Sequence, residues 1–303
     1  GSHTVLAAMD RGYNVSVVDN LSTGVRSSVP SEVVFYEEDV ANTPKMVNIL
    51  DDFKPEAIIH FAGSIVVPES VENPIKYYKN NTIASFNLID ACLQTDTQNF
   101  VFSSTAAVYG MPQASQVTES SPLNPVSPYG SSKLIVEQML SDVAAAHNFN
   151  YTALRYFNVS GADRELRAGQ STPNTTHLIK LACQNALGLH PVMKVFGTDY
   201  DTPDGTCIRD FIHVSDLARA HLNVLDYMDK HQVSSIFNCG TGRGYSVKEI
   251  LESVQRVSGV KLKIEYMERR LGDPPALIAH TKALMRATGW SAYYTDIDDI
   301  VAS

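Results

Sequence analysis

The sequence predicts an α/β protein with a doubly wound parallel sheet, helices on both sheet faces, and a smaller α/β part interleaved with it. Short apolar runs bounded by turn residues, at 15–19, 57–63, 100–104 and 151–156, are typical of buried parallel strands. Amphipathic helical patterns separate these runs. Small or hydroxyl residues follow several of them, at the sheet edge where open α/β sheets place ligands.

The bulk composition narrows the class of protein. The chain has 303 residues, of which 44% are apolar and 19% charged, and its formal net charge is −9. These values fit one large globular unit or two interlocked ones. The acidic balance argues against a nucleic-acid partner and against binding to an anionic membrane surface. No apolar run is long enough to span a bilayer and no leader segment is recognisable, so we expect a cytoplasmic protein. The four cysteines have no metal-ligand spacing and the histidines are scattered, so no metal site is predicted.

The segment from Thr105 to Lys133 carries the clearest chemical pattern. Thr105 follows an apolar strand, whereas Ser127 and Pro128 have the pattern of an N-cap and a first helical position. Tyr129 and Lys133 then lie one turn apart on the same helix face. A free tyrosine has a pKa of about 10, and a nearby ammonium favours the phenolate. We therefore expect Lys133 to lower the pKa of Tyr129; a chance Tyr-x-x-x-Lys pattern is the alternative.

This arrangement resembles a known family. A strand-end hydroxyl followed by Tyr-x-x-x-Lys resembles the extended short-chain dehydrogenase/reductases, and more narrowly the chain looks like the UDP-glucose 4-epimerases (UDP-galactose 4-epimerases) from Gly1 to about Trp290. The resemblance implies a Rossmann-type fold, NAD as cofactor, a UDP-hexose as substrate and a homodimer. It makes Tyr129 the catalytic base, Lys133 its partner and Thr105 a ligand of the reacting hydroxyl, with threonine in place of the family's usual serine.

The start of the sequence departs from the family pattern. A dinucleotide-binding unit needs a strand and a glycine loop before its first helix, whereas here residues 1–4 lead directly into a helical pattern. Gly1 matches the last glycine of the fingerprint. We therefore expect the first strand and most of the glycine loop to be missing from this sequence. The alternative is that residues 1–3 are the remnant of a tag.

The resemblance assigns a set of residues to NAD. Asp19, at a strand end, would bind the adenosine ribose hydroxyls and disfavour NADP. Asp39 would bind the adenine, and the small turn at 61–63 would let the backbone approach the cofactor. The alternatives are a strand-end turn for Asp19, a solvated acidic turn for Asp39 and a surface or capping position for Asn81. The full set is Gly1, Asp19, Asn20, Asp39, Val40, Phe61, Ala62, Gly63, Asn81, Tyr129, Lys133 and Tyr156.

A second set is assigned to the UDP-sugar. Arg209 and Arg270 would hold the diphosphate, because a planar guanidinium pairs well with phosphate oxygens. Phe196 would lie on the uracil, and Asp273 would bind a ribose hydroxyl. Leu277 matches a hexose-pocket position of intermediate size, which favours the plain hexoses. The alternative for each of these residues, taken by itself, is an ordinary surface or turn position. The full set is Thr105, Asn158, Asn174, Thr175, Val195, Phe196, Arg209, Arg270, Asp273 and Leu277.

The resemblance also predicts a domain division and a reaction. Residues 1–158 plus about 210–238 would form the NAD-binding domain, and about 159–209 plus 239–303 the UDP-sugar domain. Oxidation at C4, rotation of the 4-keto sugar and re-reduction would interconvert UDP-galactose and UDP-glucose. Two alternatives are another UDP-sugar 4-epimerase, acting on a UDP-N-acetylhexosamine or a UDP-pentose, and a non-catalytic UDP-sugar-binding protein. A dehydratase is disfavoured, because Ala106 and Ala107 supply no acid after Thr105.

Overall fold

Helices and strands alternate along most of the chain in the computed structural model, which describes residues 1–171, 175–270 and 272–303. Within these ranges the helices are α1 (Ser2–Asp10), α2 (Thr43–Phe53), α3 (Val67–Glu72), α4 (Pro74–Tyr77), α5 (Ala84–Gln94), α6 (Pro128–Ala146), α7 (Leu178–Ala186), α8 (Val214–His231), α9 (Val247–Ser258), α10 (Lys282–Thr288) and α11 (Ile297–Ala302). A π-helical turn, Tyr78–Ile83, joins α4 to α5, and a 3₁₀ helix, Ala106–Tyr109, follows the site strand.

The strands in the same ranges are β1 (Ser16–Val18), β2 (Val34–Tyr36), β3 (Ile58–His60), β4 (Asn99–Ser103), β5 (Gln116–Val117), β6 (Asn150–Tyr156), β7 (Asn158–Ser160), β8 (Met193–Phe196), β9 (Ile208–His213), β10 (Ser235–Cys239), β11 (Gly244–Ser246), β12 (Ile264–Met267) and β13 (Ala276–Ala279). β10, β6, β4 and β3 form a parallel sheet in that order, and β1 pairs with β2 in a separate parallel ladder.

Both faces of the four-stranded sheet are covered. On one face Phe100 and Phe102 of β4 pack in a core cluster with side chains of α2, α5 and α6. On the other face Val101 and Leu154 pack in a second cluster with side chains of α8 and α10. Alternate residues of one strand therefore serve two helical layers, as expected for a buried parallel strand. The predicted doubly wound α/β fold is confirmed.

A second group of strands lies beyond β6. β9 pairs with β7, β11 and β13, and β13 also pairs with β5, while β8 pairs with β12. Phe157 alone separates β6, in the parallel sheet, from β7, in the second group. The two groups of strands are thus joined directly at this residue. The boundaries given above for an NAD-binding domain and a UDP-sugar domain are not tested by these contacts and remain a prediction.

Helix starts follow the local sequence signals. The Ser127 side chain accepts a hydrogen bond from the N–H of Gly130 at 3.2 Å, and Pro128 opens α6. Ser246 and Glu249 form a capping box at α9. The glycine-rich loop at 240–244 wraps the carboxylate of Asp210, which accepts from the N–H groups of Thr241 and Gly242 at 2.8 and 2.9 Å. The protein itself therefore takes these two donors.

Two features of the described part of the chain bear on function. Within residues 1–171, 175–270 and 272–303, no helix combines the length and apolarity needed to cross a bilayer. In the same residues, His, Cys, Asp and Glu side chains form no group with metal-binding geometry.

Candidate active site

The candidate site lies where the carboxyl ends of β3, β4 and β6 meet. The loop at 61–63 follows β3, Thr105 follows β4 within two residues, and Tyr156 is the last residue of β6. α6 begins at the same edge and brings Tyr129 and Lys133 there. The parallel register of the three strands therefore gathers residues from distant parts of the sequence.

Tyr129 is held by contacts on two sides. Its side chain is only 9% exposed, and the neighbouring Thr105 side chain acts to lower the pKa of its hydroxyl. The Oγ1 atom of Thr105 also accepts from the N–H of Ala107 at 3.1 Å, which fixes the threonine rotamer. The ring of Tyr77 stands edge-on to the ring of Tyr129, with 6.4 Å between centroids. These contacts place the phenol of Tyr129 in a buried position between Tyr77 and Thr105.

Lys133 is buried beneath the site. Its Nζ donates to the carbonyl oxygen of Ser103 at 3.1 Å and lies 4.9 Å from the centroid of the Phe102 ring. Because the side chain is buried, desolvation lowers the pKa of Lys133 to about 8. A substantial neutral fraction at mildly alkaline pH follows.

The prediction that Lys133 lowers the pKa of Tyr129 is wrong for this structure. Burial raises the pKa of Tyr129 above its ordinary value, and the hydrogen bond with Thr105 offsets part of that rise. The lysine ammonium is directed at the carbonyl of Ser103, and desolvation weakens its own preference for the charged form. On this chain, Thr105 is therefore the side chain that favours the phenolate of Tyr129.

Asn81 joins the loop after β3 to α6. Its side chain accepts from the N–H of Ser64 at 2.7 Å and donates to the Ser64 carbonyl and to the Ser132 hydroxyl, each at 3.0 Å. At 1% exposure it is not the surface group that the sequence alone allowed. A Cβ at Gly63 would lie 3.0 Å from Oδ1 of Asn81 and 3.4 Å from Nζ of Lys133. Glycine thus permits the close approach of this loop to Lys133.

The residues predicted to hold the adenosine half lie together at the ends of β1 and β2. The Asp19 carboxylate accepts from the N–H of Leu21 at 2.8 Å, and a Cβ at Gly24 would lie only 2.6 Å from its oxygens. Asp39 accepts from the side chain of Asn20 at 3.2 Å. Gly1 is the N-cap of α1, and a Cβ on it would lie 3.9 Å from the Phe61 ring. The start of α1 and the end of β3 therefore face each other.

The remaining residues of the predicted cofactor set have mixed positions. Burial raises the pKa of Tyr156, and the neighbouring Ser103 side chain offsets a small part of that rise. The Phe61 ring lies 4.7 Å from the ring of His221, whereas Ala62 is exposed. Val40 packs partly buried against the core cluster of α2, α5 and α6. Val40 thus has a structural role through its side chain.

One part of the predicted substrate set is assembled around β9 and β13. Arg209 donates to the carbonyl of Pro274 at 2.7 Å, and its Nη2 lies 3.6 Å from the carboxylate of Asp273. Leu277 is paired with Arg209 in the ladder, and it packs in an apolar cluster with Ala106. This cluster links Leu277 to the turn that follows Thr105. Asn158 is half-buried at the start of β7.

The other part lies at the end of β8. The guanidinium carbon of Arg270 is 3.7 Å from the centroid of the Phe196 ring, whereas the Val195 side chain is 1% exposed and packs in the core. Val195 can therefore present only its main chain to a ligand. The Thr175 hydroxyl lies 3.1 Å from the side-chain amide of Gln170. The prediction for Asn174 lies outside the described residues.

Comparison with known proteins agrees with this geometry. Residues 1–240 match the NAD dependent epimerase/dehydratase family. The UDP-glucose 4-epimerase of Azospirillum brasilense is 48% identical over 303 residues, which cover 100% of this chain and 87% of that protein. The chain belongs to this family. The fold and the edge of the sheet described above are accordingly those of an NAD dependent epimerase/dehydratase.

Two solved structures extend the comparison to three dimensions. A Brucella ovis UDP-glucose 4-epimerase in complex with NAD superposes with a TM-score of 0.96 at 45% identity, over 99% of this chain and 92% of that one. The UDP-Glc/GlcNAc 4-epimerase of Campylobacter jejuni gives a TM-score of 0.87 at 45% identity, over 100% of this chain and 93% of that one. The fold of this family member is therefore that of UDP-glucose 4-epimerase structures.

Sequence reasoning missed several residues beneath the site. Ser103 accepts from Lys133, while Glu137 of α6 pairs with Arg155 of β6 next to Ser104. A signal for the last group was present. An arginine interrupts the apolar run at 151–156, and a glutamate stands one turn after Lys133 on the same helix face. Buried positions hold such charges only when they are paired.

Proposed function

We propose that this chain is an NAD-dependent UDP-hexose 4-epimerase that interconverts UDP-galactose and UDP-glucose. The observation that carries the proposal is full-length similarity to a UDP-glucose 4-epimerase, at 48% identity over 303 residues. Family membership alone would leave a dehydratase open, because the family includes both. The 3₁₀ helix Ala106–Tyr109 after Thr105 carries no acidic side chain, so the site lacks the acid that a dehydratase needs there.

The residues present fit NAD. α1 has no acidic residue in its first turn, and a helix N-terminus with free N–H groups favours phosphate. Asp19 and Asp39 supply carboxylate acceptors at the ends of β1 and β2, suited to ribose hydroxyls and an adenine amine. Gly63 and Lys133 would flank the nicotinamide ribose. When bound, NAD supplies the chemistry of accepting a hydride from C4 and returning it.

Tyr129 and Thr105 carry out the proton chemistry in this proposal. Tyr129, as phenolate, takes the proton of the 4-hydroxyl while C4 loses its hydride, which leaves a 4-keto sugar. Thr105 donates to the phenolate and orients the reacting oxygen. The keto sugar would rotate in the pocket and present the other face of C4 for re-reduction, and Tyr129 would give the proton back to the 4-oxygen. The reaction is balanced within each cycle.

The predicted anchors leave the hexose free to turn. Arg209 and Arg270 would grip the diphosphate, Phe196 the uracil and Asp273 a ribose hydroxyl. Arg209 is already oriented by the carbonyl of Pro274, and Arg270 by the ring of Phe196. Binding energy then comes from UDP and stays constant when C4 inverts.

We also propose a homodimer in the cytoplasm. An exposed apolar surface lies on α3, α4, α5, α6 and the π-helical turn between α4 and α5. Its members are Val71 (63% exposed), Ile75 (73%), Ile83 (53%), Phe86 (56%) and Ile135 (41%). Such a surface supports association with a second copy. Phe86→Asp should halve the mass measured by analytical ultracentrifugation, and an unchanged mass would exclude this surface.

Conversion of UDP-galactose to UDP-glucose by the purified protein with NAD tests the activity. The wild-type protein is expected to convert it, and Tyr129→Phe to lose at least about 100-fold in kcat, the scale of acid–base catalysis. Tyr13→Phe is the matched control, because its hydroxyl donates to Asp226 at the surface. Absence of conversion by the wild-type protein would overturn the function. Wild-type turnover by Tyr129→Phe would overturn the role of Tyr129.

A further inference from the structure

A fully buried ion pair lies directly behind the candidate site. Arg155 Nη2 and Glu137 Oε2 are 2.6 Å apart, with side chains 2% and 3% exposed. Arg155 Nε also donates to both oxygens of Glu137, at 3.0 and 3.1 Å. The pair joins α6, which carries the catalytic tyrosine and lysine, to the middle of the parallel sheet.

The carboxylate of Glu137 extends this link to the residue beside Thr105. The hydroxyl of Ser104 donates to Glu137 Oε1, and the N–H of Ser104 donates to the carbonyl of Leu154 at 2.9 Å. Ser104 is fully buried. Glu137 stands one turn after Lys133 on α6. One side chain thus connects the segment that ends at Thr105 to the helix that presents Tyr129.

Arg155 fixes the far end of the same segment. Its Nη1 donates to the Tyr109 hydroxyl at 3.1 Å and to the carbonyl of Glu119 at 3.2 Å. The Tyr109 hydroxyl in turn donates to Oδ1 of Asn238 at 2.6 Å. Tyr109 is the last residue of the 3₁₀ helix that begins just after Thr105. The turn bearing the catalytic threonine is therefore held at both ends.

Stability alone does not explain charges at these positions. Apolar residues of similar volume at a buried ion pair usually leave a protein equally stable or more stable, because desolvation of two charges offsets their attraction. An ion pair with several directed hydrogen bonds instead restricts distances and angles. Here the hydrogen bonds restrict the distance between Ser104 and α6. Ser104 precedes Thr105 in the chain, and α6 carries Tyr129.

We propose that Ser104, Glu137 and Arg155 are positioning residues that hold Thr105 against Tyr129 for proton transfer. The proposal rests on the epimerase function proposed above. A shift of the Thr105 segment by a fraction of an ångström would move the Thr105 hydroxyl away from that of Tyr129. Thr105 would then no longer offset part of the effect of burial, and the pKa of Tyr129 would rise further.

Ser104→Ala tests the link with the smallest change. The variant is expected to lose about 10- to 100-fold in kcat, the cost of misplacing a reacting group. The KM for UDP-galactose should stay near the wild-type value, because the UDP anchors lie elsewhere. The acid limb of the kcat–pH profile should move to higher pH. A loss of packing alone would lower the melting temperature without moving that limb.

A double variant separates position from stability. Glu137→Met combined with Arg155→Met removes both charges together, so no unpaired charge is left buried and the variant should lose much less stability than either single variant. The Ser104 hydroxyl still loses its acceptor, so kcat and the acid limb should change as in Ser104→Ala. Ser253→Ala is the matched control, since Ser253 donates to Asp298 at 2.6 Å and Arg256 donates to the same carboxylate, far from the site.

The outcomes are distinct. Wild-type kcat and an unmoved acid limb in Ser104→Ala and in a stably folded double variant would overturn the positioning role while the epimerase function stands. A similar loss of kcat in Ser253→Ala would also overturn it. An inactive wild-type protein would overturn the proposed function, and this proposal with it.

Discussion

Lys133 is anchored to the sheet: its Nζ donates to the carbonyl oxygen of Ser103, the last residue of β4, at 3.1 Å. The hydroxyl of Ser103 lies 3.2 Å from Nε2 of His221, so the acceptor strand is itself fixed. The position of the lysine relative to Tyr129 is thus set by β4 and α6, independently of any bond to the phenol. The effect of the buried Lys133 charge on stability can therefore be tested by substituting this residue.

Lys133→Met is expected to stabilise the folded protein at neutral pH while abolishing epimerisation. Burial lowers the pKa of Lys133 from 10.5 to about 8. Because the folded-state value is the lower one, the unfolded chain binds more protons between these pH values, and stability rises with pH there. Below pH 8 the buried charge costs up to about 3 kcal/mol. We expect the variant to gain about 1–3 kcal/mol in free energy of unfolding at pH 7, less the lost hydrogen bond to Ser103.

Urea unfolding at pH 7 and pH 10 measures this effect. The gain should shrink at the higher pH, where the wild-type lysine is neutral in the folded state. Lys248→Met is the matched control, because Lys248 also donates to a main-chain carbonyl, that of Asp204 at 2.6 Å, but is only partly buried. An equal gain at both pH values would show that packing, not charge, is responsible.

Thr105→Val should move the pH profile of the reaction. The hydrogen bond with Thr105 lowers the pKa of Tyr129, which burial raises. Without it the phenolate forms only at higher pH. The acid limb of the kcat–pH profile should therefore move to higher pH, and kcat at pH 7 should fall about 10- to 100-fold. Thr105→Ser keeps the hydroxyl and should keep the limb. If both variants keep the wild-type limb, Thr105 does not act on Tyr129.

Asp19→Asn should weaken the binding of NAD and reduce the preference for NAD over NADP. The carboxylate is an acceptor for ribose hydroxyls and repels a 2′-phosphate, and the amide does neither as well. We expect the ratio of the two dissociation constants, measured by calorimetry, to change by about tenfold, the scale of one charged hydrogen bond. Asp52→Asn, on the exposed face of α2, is the control. An unchanged ratio would leave Asp19 as a turn residue that bonds Leu21.

Leu277→Ser should relax the choice of sugar. Leu277 is 8% exposed and packs with Ala106 beside the catalytic turn, so an added acetamido group would meet a filled space. Overpacking of this kind costs about 1–3 kcal/mol, and we expect the wild-type protein to disfavour UDP-N-acetylgalactosamine by that amount in kcat/KM. Leu277→Met conserves volume and should keep the discrimination. Equal ratios of kcat/KM in Leu277→Ser and the wild-type protein would mean that this side chain does not face the hexose.

Local signals were sufficient for much of the fold. Ser127 and Pro128 predict the start of α6, and Ser246 with Glu249 predicts that of α9, because caps and first-turn residues act over a few positions. Alternating strand and helix patterns were enough for the doubly wound sheet, since each buried strand is apolar on both faces.

The directions of the pKa shifts in the site could not be predicted from the spacing of residues in the sequence. Tyr129 and Lys133 share a helix face, which predicted an effect on the tyrosine, but the direction of the pKa depends on burial and on what the ammonium contacts. The contact is with Ser103, on another element. The pairing of Glu137 with Arg155 likewise depends on how α6 lies against β6. The unusual π-helical turn that carries Asn81 also has no local sequence signature.

The pairing of β6 with β10 has a consequence for biosynthesis. The N–H of Tyr151, in β6, donates to the hydroxyl of Ser234, which lies 83 residues later in the chain. At a translation rate of about 5–20 residues per second, the ribosome needs about 4–17 seconds to make the intervening segment. Through that time the nascent chain exposes one hydrogen-bonding edge of a strand whose residues from Tyr151 to Arg155 end fully buried. An open apolar edge is a template for pairing with other chains, so chaperone demand should be highest before β10 emerges.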